Sequence, residues 1–242
     1  MTDGRPITER QDDPEHRRRL LAYSRDYDLA GRWHRLQVAS AGLLAAVPLV
    51  LAAMDRDAPA WFGALAGAYL VFARTLLRTA ERRVRERAAL VQEVYDTRLF
   101  RLPWNTALAG EPAATADTEA SAEAFLRSKR YAKDPGRYDR WYDVDVAGLA
   151  WPQDVLACQY ESSAWSRRDH TAYSRVLWWA FGGLLALLVV TGLLRHLELS
   201  DFLVLLFLPA APAALDVSER ALTHGGQATG RRRIERAICI SG

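Results

Sequence analysis

The 242-residue chain has only two cysteines and two lysines, and it lacks the short motifs of common catalytic and metal sites. Cys158 and Cys239 lie far apart and form no CxxC, which argues against a zinc site, a redox pair or a disulfide scaffold. The five histidines share no metal-ligand spacing, and GxSxG, HExxH and Walker loops are absent. The sequence therefore predicts a non-enzymatic protein with no catalytic residues, no metal and no cofactor.

Charge is scarce in four apolar segments. Leu36–Met54 and Val176–Leu194 carry no charge over 19 residues each, close to the roughly 20 residues that a helix needs to cross a bilayer. Ala58–Leu77 has a single charge, Arg74, near one end. Phe202–Leu215 is shorter and holds two prolines. These segments predict four transmembrane helices arranged as two hairpins.

Other features of the apolar segments bear on this interpretation. Pro209 and Pro212 are expected to kink the fourth span, and apolar helices of this length also occur in the cores of large soluble proteins. A long polar segment precedes Leu36, so no signal peptide is expected. Glycines should allow close helix approach in the second and third spans, namely Gly63, Gly67, Gly182, Gly183 and Gly192.

The distribution of Arg and Lys predicts the orientation. Eight of the 32 lie in the segment up to Arg35, sixteen between Arg78 and Arg175, and five after Asp216, whereas each hairpin turn has one. Because cytoplasmic loops are enriched in Arg and Lys, both turns should lie outside and both termini in the cytoplasm.

The soluble part is expected to be helical. Arg78–Phe100 has no Gly or Pro and shows an apolar stripe at spacings of three and four, so the second span should continue as a helix until Pro103 ends it. A linker is expected at Ala109–Ala116, a helix at Thr118–Arg130 capped by Thr118 or Ser121, and turns at Asp134–Trp151. Pro152 should lie in the first turn of a helix that runs into the third span.

The predicted fold class is thus an all-α membrane protein with a helical cytoplasmic stalk and cap between the second and third spans. The predicted domains are a basic N-terminal segment (1–35), a first transmembrane hairpin (36–77), the stalk and cap (78–175), a second hairpin (176–215) and a basic cytoplasmic tail (216–242).

Two stretches resemble a known family. Asp96-Thr97-Arg98-Leu99-Phe100-Arg101-Leu102-Pro103-Trp104-Asn105 resembles the D-T-x-L-F-x-L-P-W-N signature of the SMODS-associated four-transmembrane effectors. Trp141-Tyr142, followed by Cys158-Gln159 and Trp165, resembles a second signature of that family, although Tyr160, Ser162 and Ser166 replace its Arg, Asn and Asp.

The resemblance implies a bacterial anti-phage role. Effectors of this kind are encoded beside cyclic-oligonucleotide synthases, and they are expected to breach the inner membrane when a nucleotide signal appears. It implies a multi-pass inner-membrane protein whose partners are the lipid bilayer, further copies of itself and a cyclic nucleotide, but no nucleic acid polymer.

A basic and aromatic cluster is the candidate ligand site, because guanidinium groups suit phosphates and indole faces suit bases. Its members are Arg137, Arg140, Trp141, Gln159, Trp165, Arg167 and Arg168. The alternative is that these residues pack the cap or lie near anionic lipid head groups. Two function classes stay open: a ligand-gated effector that disrupts membranes, and a membrane anchor whose cap recruits a partner protein.

Overall fold

The computed structural model describes residues 5–241, and within that range the regular structure is entirely helical. The α-helices are α1 (Ile7–Arg10), α2 (Pro14–Ala53), α3 (Ala60–Phe72), α4 (Arg78–Phe100), α5 (Thr106–Ala109), α6 (Thr115–Leu126), α7 (Lys129–Lys133), α8 (Gln153–Leu194), α9 (Leu199–Asp201) and α10 (Leu208–Ser241). π-Helical segments at Ala73–Leu77 and Phe202–Phe207 join α3 to α4 and α9 to α10, and a 3₁₀ turn spans Pro135–Tyr138.

Three helices in the described part of the chain are long and apolar enough to cross a membrane: Pro14–Ala53, Gln153–Leu194 and Leu199–Cys239. They contain the first, third and fourth predicted spans. The second predicted span is helical from Ala60 onward but does not belong to these three, and Arg74 lies in its π-helical segment. An all-helical fold with three helices long and apolar enough to cross a membrane is therefore confirmed for the described residues, while a fourth span and the stalk-and-cap layout stay predictions.

Some predicted boundaries were wrong. The helix expected at Thr118–Arg130 is two helices, α6 and α7, and neither Thr118 nor Ser121 is a cap. Thr118 lies inside α6 and its hydroxyl donates to the Ala114 carbonyl at 3.1 Å, while Ser121 is buried. Because α5 and α6 take up both ends of the expected linker, the irregular stretch shrinks to residues 110–114.

Two other predicted elements agree closely with the structure. α4 covers Arg78–Phe100 as predicted, and α8 runs without a break into the third predicted span. α8 begins at Gln153, one residue later than expected, and the Pro152 carbonyl accepts its first bond from the Leu156 amide at 3.0 Å. Pro212 lies inside α10. Pro209 lies in the first turn of α10, just after the π-helical segment, and it has no N–H to donate to a helical hydrogen bond.

The chain divides into two compact units, and the division falls within long helices. Unit 1 comprises the residues up to Arg32, Ala80–Trp165 and the residues from Ile234, whereas unit 2 comprises Trp33–Thr79 and Ser166–Arg233.

Unit 1 has an aromatic-rich core to which the N-terminal segment contributes directly. The core side chains include Leu20, Leu21, Tyr23, Val91, Tyr95, Leu99, Phe100, Phe125, Tyr138, Tyr142 and Cys158. The Gln11 carboxamide pairs with the Tyr142 backbone like a neighbouring strand: its Nε2 donates to the Tyr142 carbonyl at 3.0 Å, and its Oε1 accepts from the Tyr142 amide at 2.7 Å. This pairing fixes the loop before α8 onto the start of the chain.

Unit 2 has a core of small and aliphatic side chains, namely Ala41, Ala45, Leu188, Leu206, Ala210 and Ala213. A Cβ on Gly63 would lie 3.1 Å from the Val204 carbonyl oxygen, and one on Gly192 would lie 2.7 Å from the Phe202 ring. Close approach is thus confirmed at these two glycines. At Gly67, Gly182 and Gly183 a Cβ would meet nothing within 4 Å, so within a single chain the described residues do not bring a neighbouring helix close to these glycines.

Candidate functional site

The predicted ligand residues do not all belong to one unit. Five lie in unit 1, and two, Arg167 and Arg168, lie in unit 2. Arg137 is exposed in the 3₁₀ turn, and Gln159 and Trp165 lie on α8, where the Trp165 side chain is largely exposed. Ligand binding by this set stays a prediction.

The segment carrying Arg140 and Trp141 is held by the beginning of the chain. The Arg140 amide donates to Asp12 Oδ1 at 3.0 Å, and Arg17 forms an ion pair with Asp139 at 2.7 Å. Trp141 packs edge-on against Tyr23 with ring centroids 6.4 Å apart. Arg140 has φ 48°, in the left-handed region, and its side chain is exposed. The N-terminal segment therefore fixes the position of this part of the predicted cluster.

Unit 2 contains a polar cluster that the sequence did not predict. Arg74 and Arg78 both bind Glu219, at 2.6 and 2.5 Å. Arg220 binds Asp216 at 2.9 Å, and its Nη2 donates to the Gln37 side chain at 3.4 Å. The cluster surrounds a cavity of about 20 Å³, lined by Gln37, Ala41, Tyr69, Leu70, Ala73, Arg74, Arg78, Pro212, Asp216 and Glu219. This volume is enough for about one water molecule.

Two histidines of unit 2, one on α8 and one on α10, lie in contact with each other. The Nδ1 atoms of His170 and His224 lie 2.6 Å apart, and the Tyr173 ring packs edge-on against His224. The Tyr173 hydroxyl also lies 3.3 Å from His34 Nε2. Within residues 5–241 no group of three or more His, Cys, Asp or Glu side chains could hold a metal ion.

The two hairpin turns of unit 2 are joined by one guanidinium. Arg195, which follows α8, binds Asp55 and Asp57 of the turn that follows α2, the latter at 3.2 Å. Both turns therefore lie at the same end of unit 2, as the two-hairpin arrangement requires.

Comparison with known proteins connects this geometry to a family. A family model described as the SMODS-associating 4TM effector domain matches residues 5–239. The chain belongs to this family. No curated protein and no solved structure matches it.

The stretch that resembles the first family signature, Asp96–Asn105, contains a helix end. The Leu102 amide donates to the Thr97 carbonyl at 2.8 Å and the Arg101 amide to the Arg98 carbonyl at 3.3 Å, which is the Schellman pattern. Arg101 has φ 57°, at the position where glycine is usual. A left-handed conformation costs a non-glycine residue about 1–2 kcal/mol, so the backbone gains nothing from arginine here.

Other residues of this stretch stabilise the bend that follows α4. Leu99 and Phe100 are buried, whereas Trp104 is only half-buried and its Nε1 donates to the Gly110 carbonyl at 2.9 Å. The Tyr142 hydroxyl donates to Asp96 at 3.2 Å. Burial, with the Asp96 charge as a second cause, raises the pKa of Tyr142 well above its usual range, so the phenol stays a donor.

In the stretch that resembles the second family signature, Cys158 lies in the core of unit 1. Burial raises the pKa of the Cys158 thiol to about 12, and the nearby Glu161 and Asp154 charges act in the same direction. A thiol that stays protonated is a poor nucleophile. This environment supports a packing role for Cys158.

Proposed function

We propose that the protein is a multi-pass effector of the bacterial inner membrane that disrupts the bilayer when a cyclic nucleotide binds its cytoplasmic part. The family match over residues 5–239 carries the proposal. Three helices long and apolar enough to cross a membrane, and a separate unit 1 with its own aromatic-rich core, support a protein with one part in the bilayer and one part for a soluble signal. No enzymatic step is part of this proposal.

Membrane disruption by this protein is proposed to need several copies. The unit 2 core is filled with Ala and Leu side chains, and the cavity beside Glu219 holds about one water. A single chain packed in this way offers no continuous aqueous path. Side-by-side assembly of copies, or direct disturbance of the lipid, would supply one.

The nucleotide is proposed to bind at the cytoplasmic part of the chain, with both termini and that part on the same side of the membrane. The seven residues predicted from the sequence, Arg137, Arg140, Trp141, Gln159, Trp165, Arg167 and Arg168, are one candidate set. Guanidinium groups fork onto phosphates, and indole rings stack on bases.

Dye uptake tests the proposal. The full-length protein is expressed in bacteria together with each of several cyclic-nucleotide synthases, and propidium entry is measured by flow cytometry. We expect entry with at least one active synthase and none with its catalytically dead version. Cells that stay sealed with every synthase, although the protein accumulates in the membrane, would contradict the effector and favour the membrane-anchor alternative.

A further inference from the structure

Unit 1 contains a cavity of about 700 Å³ that the sequence did not point to. Residues from the N-terminal segment, the end of α4, the loop before α8 and the start of α8 line it: Arg5, Pro6, Arg10, Arg101, Val146, Ala147, Gly148, Leu149, Trp151 and Asp154. Small-molecule sites typically measure about 300–1,000 Å³, so this cavity has the size of a site for a small organic ligand.

The charge of the cavity wall favours an anion. Three guanidinium groups, those of Arg5, Arg10 and Arg101, face one carboxylate, that of Asp154. Arg5 also forks onto Asp13 at 2.8 and 2.9 Å, and an oxygen of Asp154 accepts the Val155 amide at 2.8 Å. The lining residues themselves thus include three arginines and one acidic residue. Planar guanidinium groups bind phosphate oxygens in pairs.

Arg101 gives this site a separate line of support. It occupies a left-handed position, φ 57°, that a glycine would fill without strain. Strained backbone of this kind clusters at ligand-binding positions. Since the helix end would be served better by glycine, the Arg101 side chain on the cavity wall is the part that a function would use.

Trp151 adds a flat apolar surface to the same wall. Its side chain is 64% exposed, beside the half-exposed Leu149. An exposed indole offers a face on which a planar ring can stack. Phosphate-binding groups and a stacking surface in one cavity are the two requirements of a nucleotide site.

We propose that this cavity binds a nucleotide, with its phosphate on Arg5, Arg10 and Arg101 and its base against Trp151. The inference rests on the proposed function, because it names the residues through which the nucleotide signal would be received. It assigns that ligand to a place other than the cluster around Arg140, which does not line the cavity.

A matched pair of glycine variants tests the assignment. Arg101 and Arg140 are both in unit 1 and both left-handed, so Arg101→Gly and Arg140→Gly remove the same charge and relieve the same strain. The full-length protein is placed in nanodiscs of neutral phosphatidylcholine. Fluorescence anisotropy then follows binding of ribose-labelled adenosine and guanosine nucleotides, both linear and cyclic.

We expect Arg101→Gly to weaken binding of the best probe at least tenfold while its melting temperature is unchanged or higher. Arg140→Gly decides between this cavity and the other candidate set: we expect binding within twofold of the parent, whereas a loss there would place the nucleotide on the cluster around Arg140. Arg101→Lys should recover part of the affinity, because it restores the charge without the fork. Trp151→Leu should weaken binding of the nucleotide but not binding of inorganic phosphate, because phosphate has no base to stack on the indole.

The opposite results overturn the assignment: a parent that binds none of the probes, an Arg101→Gly variant that binds like the parent, or an equal loss in Arg140→Gly. Competition separates the two sources of phosphate. If glycerol phosphate or vesicles with phosphatidylglycerol displace the probe as well as the unlabelled nucleotide does, the cavity is a lipid-headgroup site and the nucleotide assignment is wrong. A parent that binds the probe but leaves dye-loaded vesicles sealed would contradict the proposed function and leave the cavity assignment standing.

Discussion

Asp26 is a nearly fully buried carboxylate in unit 1, with 2% of its side chain exposed. Arg87 of α4 binds it at 3.2 Å, Arg25 binds it at 3.3 Å, and the Ser121 hydroxyl of α6 donates to it at 3.4 Å. The carboxylate therefore joins α2, α4 and α6. Removing a partner of a buried charge is costly because the remaining charge cannot return to water.

We expect Arg87→Met to lower the free energy of local unfolding around α4 and α6 by about 3 kcal/mol. Hydrogen-exchange mass spectrometry of the full-length protein in detergent measures that quantity as lost amide protection. Arg82→Met is the matched control, because Arg82 pairs with Glu86 on the exposed face of the same helix, where water screens the pair, and its loss should leave amide protection nearly unchanged. The added change Asp26→Leu should recover most of the loss. Equal effects of the Arg87 and Arg82 variants would contradict this role.

At the scale of helices, Gly63 and Gly67 lie one turn apart on α3 but have different surroundings. A Cβ on Gly63 would press on the Val204 carbonyl and the Leu208 side chain, whereas one on Gly67 would meet open space. We expect Gly63→Leu to lower the melting temperature of the detergent-solubilised monomer by several degrees, as overpacking by about 1–3 kcal/mol would.

Gly67→Leu is the control and should leave monomer melting unchanged, since both variants add the same side chain to the same helix. If Gly67→Leu destabilises the monomer as much, then α3 packs differently from the arrangement described. If it leaves the monomer intact but abolishes assembly in lipid, the Gly67 face lies between copies.

Local pattern was enough to predict much at this scale. α4 ends where predicted because Arg78–Phe100 lacks Gly and Pro and Pro103 follows it, and α8 is continuous because nothing in its sequence interrupts it. The α6 boundary was mistaken because the Ser121 hydroxyl is buried against Asp26, 95 positions away, while Thr118 lies inside α6 and donates back to the Ala114 carbonyl. Periodicity describes neighbours along the chain, and it carries no information about such distant partners.

The candidate sites also depend on contacts between residues far apart in the sequence, which a local pattern does not predict. Gln11 and Tyr142 are 131 positions apart, yet their pairing sets the loop that holds Trp141. Arg10 lies in a segment whose sequence indicates only a basic character, and Arg101 lies in the stretch that resembles the first family signature. Their meeting in one cavity depends on the tertiary fold. The left-handed φ of Arg101 also has no signal in the sequence, because the position holds no glycine.

For the molecule as a whole, the two cysteines offer a test of orientation. Cys239 is exposed and lies in the part of α10 that belongs to unit 1, whereas Cys158 is buried with its pKa raised to about 12. If unit 1 is cytoplasmic, a membrane-impermeant maleimide should label Cys239 in inside-out vesicles and not in right-side-out ones. Mass spectrometry of the labelled peptides measures the difference.

Two controls accompany this experiment. Cys239→Ser should abolish labelling of the folded protein in both preparations, and Cys158 should react only after denaturation because its thiol is buried and protonated. Labelling of Cys239 in sealed right-side-out vesicles would place this end of α10 outside and reverse the predicted orientation.

Unit 1 is assembled from distant parts of the chain, and this has a consequence for biosynthesis. Leu20, Leu21 and Tyr23 belong to its core, but their partners Phe125, Tyr142 and Cys158 leave the ribosome more than a hundred residues later. At about 5–20 residues per second, that interval is on the order of ten seconds. Throughout it the nascent N-terminal segment presents apolar side chains that these partners do not yet cover. If the cavity that includes Arg10, Arg101 and Trp151 is the proposed nucleotide site, it cannot exist before the start of α8 has been translated, and an incomplete chain would have no means to receive the signal.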